Sequence, residues 1–216
     1  MERCSRNAEP RHSSIWAATQ DIVGRDDAQN PCGEQSKRDG VPKPMHAHAT
    51  LAAMKTILVI WHSQTGGTAQ MVEALVEGER SVEGVRVRAL RAVDATTEDA
   101  LAADAFVFAT PECLAMMAGQ LKDFFDRSYY ALLERVNGRA YGMLVCAGSD
   151  GSNAVRQIER IATGLRLRKV ADAIVVNTAA QTPERILAPK RIDDEAMARC
   201  RELGLLIANG LSLGLW

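Results

Sequence analysis

From Lys55 onward, short apolar runs alternate with stretches whose apolar residues recur at helical spacing. A continuous apolar run is typical of a strand that is buried on both faces, and a helix between two such strands makes them parallel. The sequence therefore predicts a βαβαβαβαβα chain. In this length, that order predicts an α/β fold with a doubly wound, five-stranded parallel sheet of strand order 2-1-3-4-5.

The predicted elements can be placed along the chain from these patterns. Leu121, Phe124, Phe125, Leu132 and Leu133 fall on one face of a predicted helix over 119–136, and Asn137-Gly138 is the expected end of that helix. The other helices are predicted at 68–80, 96–102, 152–163 and from 193 to about 209. The strands are predicted at 55–61, 85–90, 104–110, 141–147 and 170–176.

Residues 1–53 differ from the rest because they contain few apolar residues at any regular spacing. Such a segment cannot bury enough surface to offset the entropy lost on ordering. It also lacks the apolar stretch of a secretory signal. We expect 1–53 to be a disordered extension or a start assigned too far upstream, with Met54 or Met45 as the physiological start. Residues 54–216 are the predicted domain.

The composition excludes several classes of function. The formal net charge is −1, so no basic surface is predicted to attract nucleic acid. No apolar run reaches the roughly 18 residues that a membrane span needs. The cysteines are dispersed without a C-x-x-C pair, which favours reduced thiols and a cytoplasmic location; they are Cys4, Cys32, Cys113, Cys146 and Cys200. No metal site is predicted, since His46 and His48 stand alone in a polar stretch.

Ligands of such sheets bind beyond the carboxyl ends of the strands, which directs attention to three loops. The first loop, residues 62–68, offers hydroxyls, main-chain N–H groups and a helix N-terminus, but no cationic side chain. It lacks the lysine of a nucleoside triphosphate loop, and no G-x-G-x-x-G follows a strand. A single terminal phosphate fits best; a plain turn capped by Thr68 is the alternative. The candidate ligands are Ser63, Gln64, Thr65, Gly66, Gly67 and Thr68.

The second and third loops, residues 110–118 and 147–152, are predicted to lie beside the first. They combine main-chain amides with soft apolar side chains, which suits the edge and face of a flat ring. Met116 and Met117 could instead fill the core, and Cys113 could be a nucleophile if His62 were near. His62 is also a candidate proton donor, but no catalytic side chain is predicted. The candidate ligands here are Thr110, Pro111, Glu112, Cys113, Leu114, Ala115, Ala147, Gly148, Ser149, Asp150 and Gly151.

Two motifs resemble a known family. Residues 63–68, SQTGGT, resemble the flavin-phosphate loop S-x-T-G-N-T of flavodoxins, with Gly67 in the place of the asparagine. Thr110-Pro111 together with residues 117–127 resembles the second loop and helix of NAD(P)H-dependent FMN reductases and flavodoxin-like quinone reductases. This resemblance covers nearly all of residues 55–216 in element order. It implies a flavodoxin-like fold and bound FMN, with the first loop on the phosphate and the other two loops around the isoalloxazine ring.

The resemblance further implies an oxidoreductase that passes hydride or electrons from NAD(P)H through FMN to a quinone or similar small acceptor. Neither ring loop contains an aromatic residue, and residues 54–216 carry 19 basic and 20 acidic side chains, unlike the acidic, aromatic-lined carriers. A flavodoxin-type electron carrier and a relative that has lost flavin remain the alternatives. The final helix, or the face with Tyr129 and Tyr130, could form a homo-oligomer contact, or could be ordinary core or surface.

Overall fold

The computed structural model describes residues 54–216, so the expectation for residues 1–53 lies outside the described residues. The strands in this part of the chain are β1 (Lys55–Trp61), β2 (Val85–Arg91), β3 (Ala105–Cys113), β4 (Met116–Met117), β5 (Ala140–Ala147), β6 (Arg168–Lys169) and β7 (Ile174–Asn177). The helices are α1 (Gly67–Glu79), α2 (Thr97–Ala102), α3 (Gly119–Leu132), α4 (Ser152–Gly164), α5 (Pro183–Leu187) and α6 (Asp194–Ser212).

The central sheet is parallel, with neighbouring strands in the order β2-β1-β3-β5 and then β6 and β7, which both pair with β5. The register places Val59 of β1 between Ala89 of β2 and Val107 of β3. Because β5 is the fourth long strand and β6 with β7 occupy the fifth place, the predicted flavodoxin-like order 2-1-3-4-5 is confirmed.

The last strand is not continuous over 170–176, and that prediction was wrong. The pairing with β5 stops after Lys169 and resumes at Ile174. The side chain of Asp172 in the gap is fully exposed and lies 3.1 Å from the ammonium of Lys169. Aspartate is poorly suited to a strand, and this charged side chain turns outward instead of pairing in the sheet.

The second predicted loop is mostly strand. β3 continues through Cys113, and the chain reverses at Leu114-Ala115 to form an antiparallel pair with β4. Both turn residues have positive φ, 50° and 61°, as a two-residue hairpin turn of type I′ requires. Thr110 is in the strand predicted over 104–110, but the expectation that Pro111, Glu112 and Cys113 lie in a loop was wrong, and no Asn-Gly or Asp-Gly signals this turn in the sequence.

Helices cover both faces of the sheet. On β1, Ile57 and Val59 point to the cluster with α1 and α6, whereas Leu58 and Ile60 point to the cluster with α2, α3 and α4. The predicted inner face of α3 is confirmed, with four of its five side chains buried and Leu133 partly buried. None of the helices between residues 54 and 216 is long and apolar enough to cross a membrane.

Two helix assignments needed correction. α3 ends at Leu132 and not near residue 136, because Leu133 leaves the helical conformation with a ψ of 131° and Glu134 has a φ of 63°. Gly138 instead lies in the turn before β5, where its N–H donates to the carbonyl of Arg166. The connection after β7 contains the short helix α5, which was not among the predicted helices; the Thr182 side chain caps it by accepting a hydrogen bond from the N–H of Arg185.

Candidate functional site

A cleft of about 970 Å³ lies at the carboxyl edge of the sheet. It is bounded by the first loop, by the β3–β4 hairpin, by the end of β5 with the third loop, and by the segment between β7 and α6. The side chains and backbone that line it are Ser63, Gln64, Thr65, Gly67, Thr68, Pro111, Glu112, Cys113, Leu114, Ala115, Cys146, Ala147, Gly148, Ser149, Thr178, Ala180, Gln181, Ile186, Leu187 and Lys190.

The first loop presents unsatisfied donors to this cleft. The hydroxyls of Ser63 and Thr68 are buried without a hydrogen-bond partner in residues 54–216. None of the main-chain N–H groups from Ser63 to Ala69 donates to a main-chain carbonyl of residues 54–216. Buried polar groups without partners are rare and costly in folded proteins. Together with the N-terminus of α1, these donors fit an oxyanion such as a phosphate monoester.

Close packing beneath the first loop restricts position 67 to glycine. A Cβ placed on Gly67 would lie 2.5 Å from Sγ of Cys146 and 3.2 Å from Cβ of Lys190. The preceding residue, Gly66, has a φ of 87° and forms the N-cap of α1 without a side-chain cap. The glycine in the place of the flavodoxin asparagine is therefore required by the packing of the loop against β5 and the segment after β7.

The hairpin wall is tied to the third loop by a carboxylate. Glu112 accepts hydrogen bonds from the N–H groups of Gly151, at 2.9 Å, and of Ser149, at 3.4 Å. At the tip of the hairpin, the side chain of Leu114 is 92% exposed at the mouth of the cleft. The thiol of Cys113 donates to Oε1 of Gln64 over 3.7 Å, which links the hairpin to the first loop.

Four predicted ligands do not line the cleft, namely Gly66, Thr110, Asp150 and Gly151. Thr110 is fully buried, and its Oγ1 accepts a hydrogen bond from the N–H of Ala118, so it holds the hairpin rather than a ligand. Asp150 accepts from both N–H and Oγ of Ser152, and Gly151 caps α4 with a φ of 75°. These four residues were predicted as ligands; Thr110 and Asp150 instead form hydrogen bonds within their own turns, and Gly66 and Gly151 are the N-caps of α1 and α4.

A fourth wall was not anticipated from the sequence. The segment 178–190 begins where the N–H of Thr178 donates to Ala147, at 2.8 Å, and ends where the N–H of Lys190 donates to Thr65, also at 2.8 Å. It thus runs from the third loop to the first. Ligands of such sheets bind beyond the carboxyl ends of the strands, and this rule also applies to the last strand. The segment after the last strand could therefore have been predicted as part of the site.

The same wall contains a cation, which lies outside the first loop and was not predicted. Lys190 lines the cleft. Its ammonium donates to the carbonyls of Arg185, Ile186 and Ala188 at distances between 2.6 and 2.9 Å. All three donors of the ammonium are used in this way. The lysine therefore closes the turn after α5, and its charge lies at the edge of the cleft.

The titratable groups near the cleft are poorly suited to nucleophilic or acid chemistry. Burial raises the pKa of the Cys113 thiol, and the neighbouring Glu112 adds to the effect. Burial also raises the pKa of the Cys146 thiol, partly offset by Lys190. Burial and the charge of Arg91 lower the pKa of His62, although a hydrogen bond with Gln120 opposes them. At neutral pH the thiols are protonated and the imidazole is neutral.

Other reactive features are also missing from the described residues. No group of three or more metal-ligating side chains occurs between residues 54 and 216. The side chains that line the cleft include no aromatic ring. A bound organic cofactor is one source of redox chemistry that these side chains do not themselves supply.

The comparison with known families identifies that chemistry. The profile described as "NADPH-dependent FMN reductase" matches residues 62–181, which is more than half of the chain. The chain belongs to the NADPH-dependent FMN reductase family. FMN is the cofactor that this membership implies, and the chain is a flavodoxin-like member of the flavin oxidoreductases. The matched range begins with the first loop and includes the hairpin, the third loop and the beginning of the fourth wall.

Two curated relatives agree with this assignment. A flavodoxin of Aquifex aeolicus is 29% identical over 169 residues, covering 74% of this chain and 89% of that protein. An NAD(P)H dehydrogenase (quinone) of Acidithiobacillus ferrooxidans is 34% identical over 95 residues, covering 35% of this chain and 48% of that protein. Among solved structures, an archaeal flavodoxin is 18% identical with a TM-score of 0.59, covering 73% of this chain and 99% of its own, which confirms the fold.

Proposed function

We propose that the cleft binds FMN and that the protein uses it to pass reducing equivalents from NAD(P)H to a quinone or similar small acceptor. The observation that carries this proposal is the pair of buried, unpartnered hydroxyls of Ser63 and Thr68 at the N-terminus of α1. Family membership supplies the identity of the cofactor, since its profile matches the same loop.

The first loop would hold the phosphate of FMN. Its two hydroxyls and its N–H groups lack partners in residues 54–216 and would donate to the phosphate, and the N-terminus of α1 contributes the partial positive charge of a helix dipole. Lys190 adds a formal positive charge at the edge of the cleft. A phosphate monoester held in this way needs no arginine or lysine in the loop itself.

The hairpin and the third loop would hold the isoalloxazine ring. The main chain of Gly148 lines the cleft and would lie at the polar edge of the ring, while Pro111 and Leu114 supply apolar surface. When bound, FMN supplies the hydride and electron chemistry, which no side chain of this cleft can supply. Main-chain donors at the ring edge would favour the negative charge that reduction creates.

The absence of aromatic side chains from the lining favours an enzyme. Stacking on aromatic rings would cover the flavin, whereas the aliphatic walls of this cleft leave room beside it for a second planar molecule. A nicotinamide and a quinone are both planar and could use that space in turn. The quinone dehydrogenase relative, which matches over 95 residues, is consistent with such an acceptor.

The second candidate is an electron carrier of the flavodoxin type. The relative from Aquifex aeolicus, which aligns over 89% of its own length, favours it. The two candidates differ in whether NAD(P)H is consumed. Purified protein loaded with FMN should oxidise NADH or NADPH, measured at 340 nm, when a soluble benzoquinone is present. A carrier would be reduced by dithionite and reoxidised by the quinone, but would consume neither nucleotide above the rate of free FMN.

A further inference from the structure

The side-chain amide of Gln70 joins two walls of the cleft. Its Nε2 donates to the carbonyl of Gly66 in the first loop, at 3.0 Å, and to that of Lys190, at 2.7 Å. Its Oε1 accepts from the N–H of Ile192 at 3.1 Å. The amide therefore uses both of its ends on main-chain groups, one in the first loop and two in the segment that follows α5.

That segment lies along one side of the cleft from end to end. The carbonyl of Ala180 lies 3.0 Å from the position of a Cβ on Gly148, so the segment starts in contact with the third loop. Its other end is fixed to Thr65 through the N–H of Lys190. We call residues 178–190 the cover segment, because they run along the cleft from the third loop to the first.

The cover segment carries two apolar side chains that the protein core does not use. Ile186 is 51% exposed and Leu187 is 74% exposed, and both line the cleft. Leu114 is exposed at the mouth of the same cleft, on the hairpin. Apolar side chains exposed inside a cleft, in contact with polar walls, are typical of a site that closes on an apolar ligand surface.

We propose that Gln70 is a positioning residue that fastens the cover segment to the first loop, so that the segment holds flavin in the cleft. This inference rests on the proposed function, because it takes the ligand to be FMN. Gln70 contacts both the carbonyl of Gly66, the N-cap of α1, and the carbonyl of Lys190 in the cover segment. A phosphate bound at the first loop and a flavin ring held beneath the cover segment therefore both stabilise the conformation in which Gln70 joins the two. By linkage, each contact then strengthens the other.

Limited proteolysis tests the fastening without any redox assay. Trypsin can cut the chain after Arg185, Lys190 and Arg191, all within or next to the cover segment. We compare wild-type protein with Gln70→Leu, and use Glu77→Gln as the control. Glu77 lies on the same helix but forms a surface ion pair with Arg201. Cleavage sites are read by mass spectrometry with and without saturating FMN.

Loss of the hydrogen bonds to Lys190, at the end of the cover segment, and to Ile192, just after it, should raise cleavage at these sites about tenfold in Gln70→Leu without ligand. FMN should protect wild type and the control, and should protect Gln70→Leu poorly. The dissociation constants of both FMN and riboflavin, measured by quenching of flavin fluorescence, should rise about tenfold in Gln70→Leu. Unchanged cleavage, or unchanged affinity for both flavins, would overturn the proposal.

A second variant separates the fastening from folding and from the identity of the ligand. Leu187→Ser changes an exposed side chain, so the fold should be retained; we expect several-fold weaker flavin binding with unchanged cleavage in the absence of ligand. Equal flavin affinity in Leu187→Ser and wild type would contradict the role of the segment as a cover. If wild type binds no flavin while Gln70→Leu is still cleaved faster, the proposed function fails and the flavin part of this inference fails with it, but the fastening by Gln70 stands.

Discussion

The carboxylate of Glu112 accepts a hydrogen bond of 2.9 Å from the main-chain N–H of Gly151 and so joins the end of β3 to the beginning of α4. This contact occupies the position at which an anionic ligand could have approached the N-terminus of α4. It leaves the N-terminus of α1, where Ser63 and Thr68 have no partners, as the anion site. The N-termini of α1 and α4 thus have different roles, although both helices have a glycine as N-cap.

Replacing Glu112 should loosen the third loop. In Glu112→Ala the N–H groups of Ser149 and Gly151 lose the carboxylate that accepts their hydrogen bonds. Because a hydrogen bond to a charged group is worth about 1.5–3 kcal/mol, the free energy of unfolding should fall by about that amount. Glu112→Gln keeps one acceptor oxygen and should lose less. Urea denaturation measures both. Equal destabilisation by the two variants would show that the acceptor itself does not matter.

The hydroxyls of Ser63 and Thr68 should matter for FMN but not for riboflavin. Ser63→Ala and Thr68→Val should each weaken FMN binding by about 1–2 kcal/mol, because each removes a hydrogen bond to the phosphate. The flavin-free protein should become no less stable, since each change removes a buried hydroxyl that has no partner in residues 54–216. Fluorescence titration and thermal unfolding measure the two effects.

Thr163→Val is the control for this pair, because Thr163 is exposed on α4 and its hydroxyl donates to the carbonyl of Glu159. It should leave the dissociation constants of both flavins unchanged. If Ser63→Ala and Thr68→Val weakened riboflavin as much as FMN, the two hydroxyls would not be phosphate ligands.

A single methyl group at position 67 should disturb the first loop. In Gly67→Ala the new Cβ would lie 2.5 Å from Sγ of Cys146, and overpacking of this kind costs about 1–3 kcal/mol. Gly119→Ala is the matched control, since a Cβ there meets nothing within 4 Å. We expect lower thermal stability and weaker FMN binding only in Gly67→Ala. Equal behaviour of the two variants would mean that the loop can shift freely.

The buried Glu79 should make stability depend on pH. Its side chain is inaccessible to solvent and neither oxygen has a partner within residues 54–216, and burial raises its pKa well above the ordinary value of 4.5. The folded state therefore holds a proton that the unfolded state releases, so the contribution of this group to stability is largest below pH 4.5 and is lost as the pH rises toward the raised value.

The test compares Glu79→Gln with the exposed Glu73→Gln at several pH values between 4.5 and 8. Glu79→Gln cannot ionise, so its advantage over wild type should grow as the pH rises, whereas Glu73→Gln should show no such trend. An advantage that is constant or that shrinks with pH would contradict the assignment of a proton to Glu79. The free energies of unfolding come from urea denaturation.

The sequence predicts the sheet well because β1, β5 and most of β3 are continuous apolar runs, and β2 alternates apolar and charged residues as an edge strand does. The run Ile57 to Ile60 has no polar residue, and the order of elements leaves few topologies for parallel strands. The interruption between Lys169 and Ile174 was not predicted, because residues 170–176 are apolar except for Asp172 and were therefore assigned to one strand. The end of α3 was predicted too late because Asn137-Gly138 is a typical helix end, whereas the helix ends at Leu132.

The parts of the candidate site that depend on local sequence were predicted from the sequence. The parts that depend on contacts between distant segments were not. The first loop could be recognised because hydroxyls and glycines between a strand and a helix suit an anion. The hairpin at Leu114-Ala115 and the position of Lys190 depend on contacts between segments distant in the chain. The hydrogen bond from Lys190 to Thr65 spans more than a hundred residues, so no short pattern could reveal it.

The most direct measurement is the pair of dissociation constants for FMN and riboflavin, obtained by titrating each flavin with purified full-length protein and following the quenching of flavin fluorescence. Phosphate contacts from Ser63, Thr68 and the N-terminus of α1 predict that FMN binds at least about a hundredfold more tightly, as expected for several charge-assisted hydrogen bonds. Equal affinity for the two flavins, or no quenching of either, would contradict the assignment of this cleft as an FMN site.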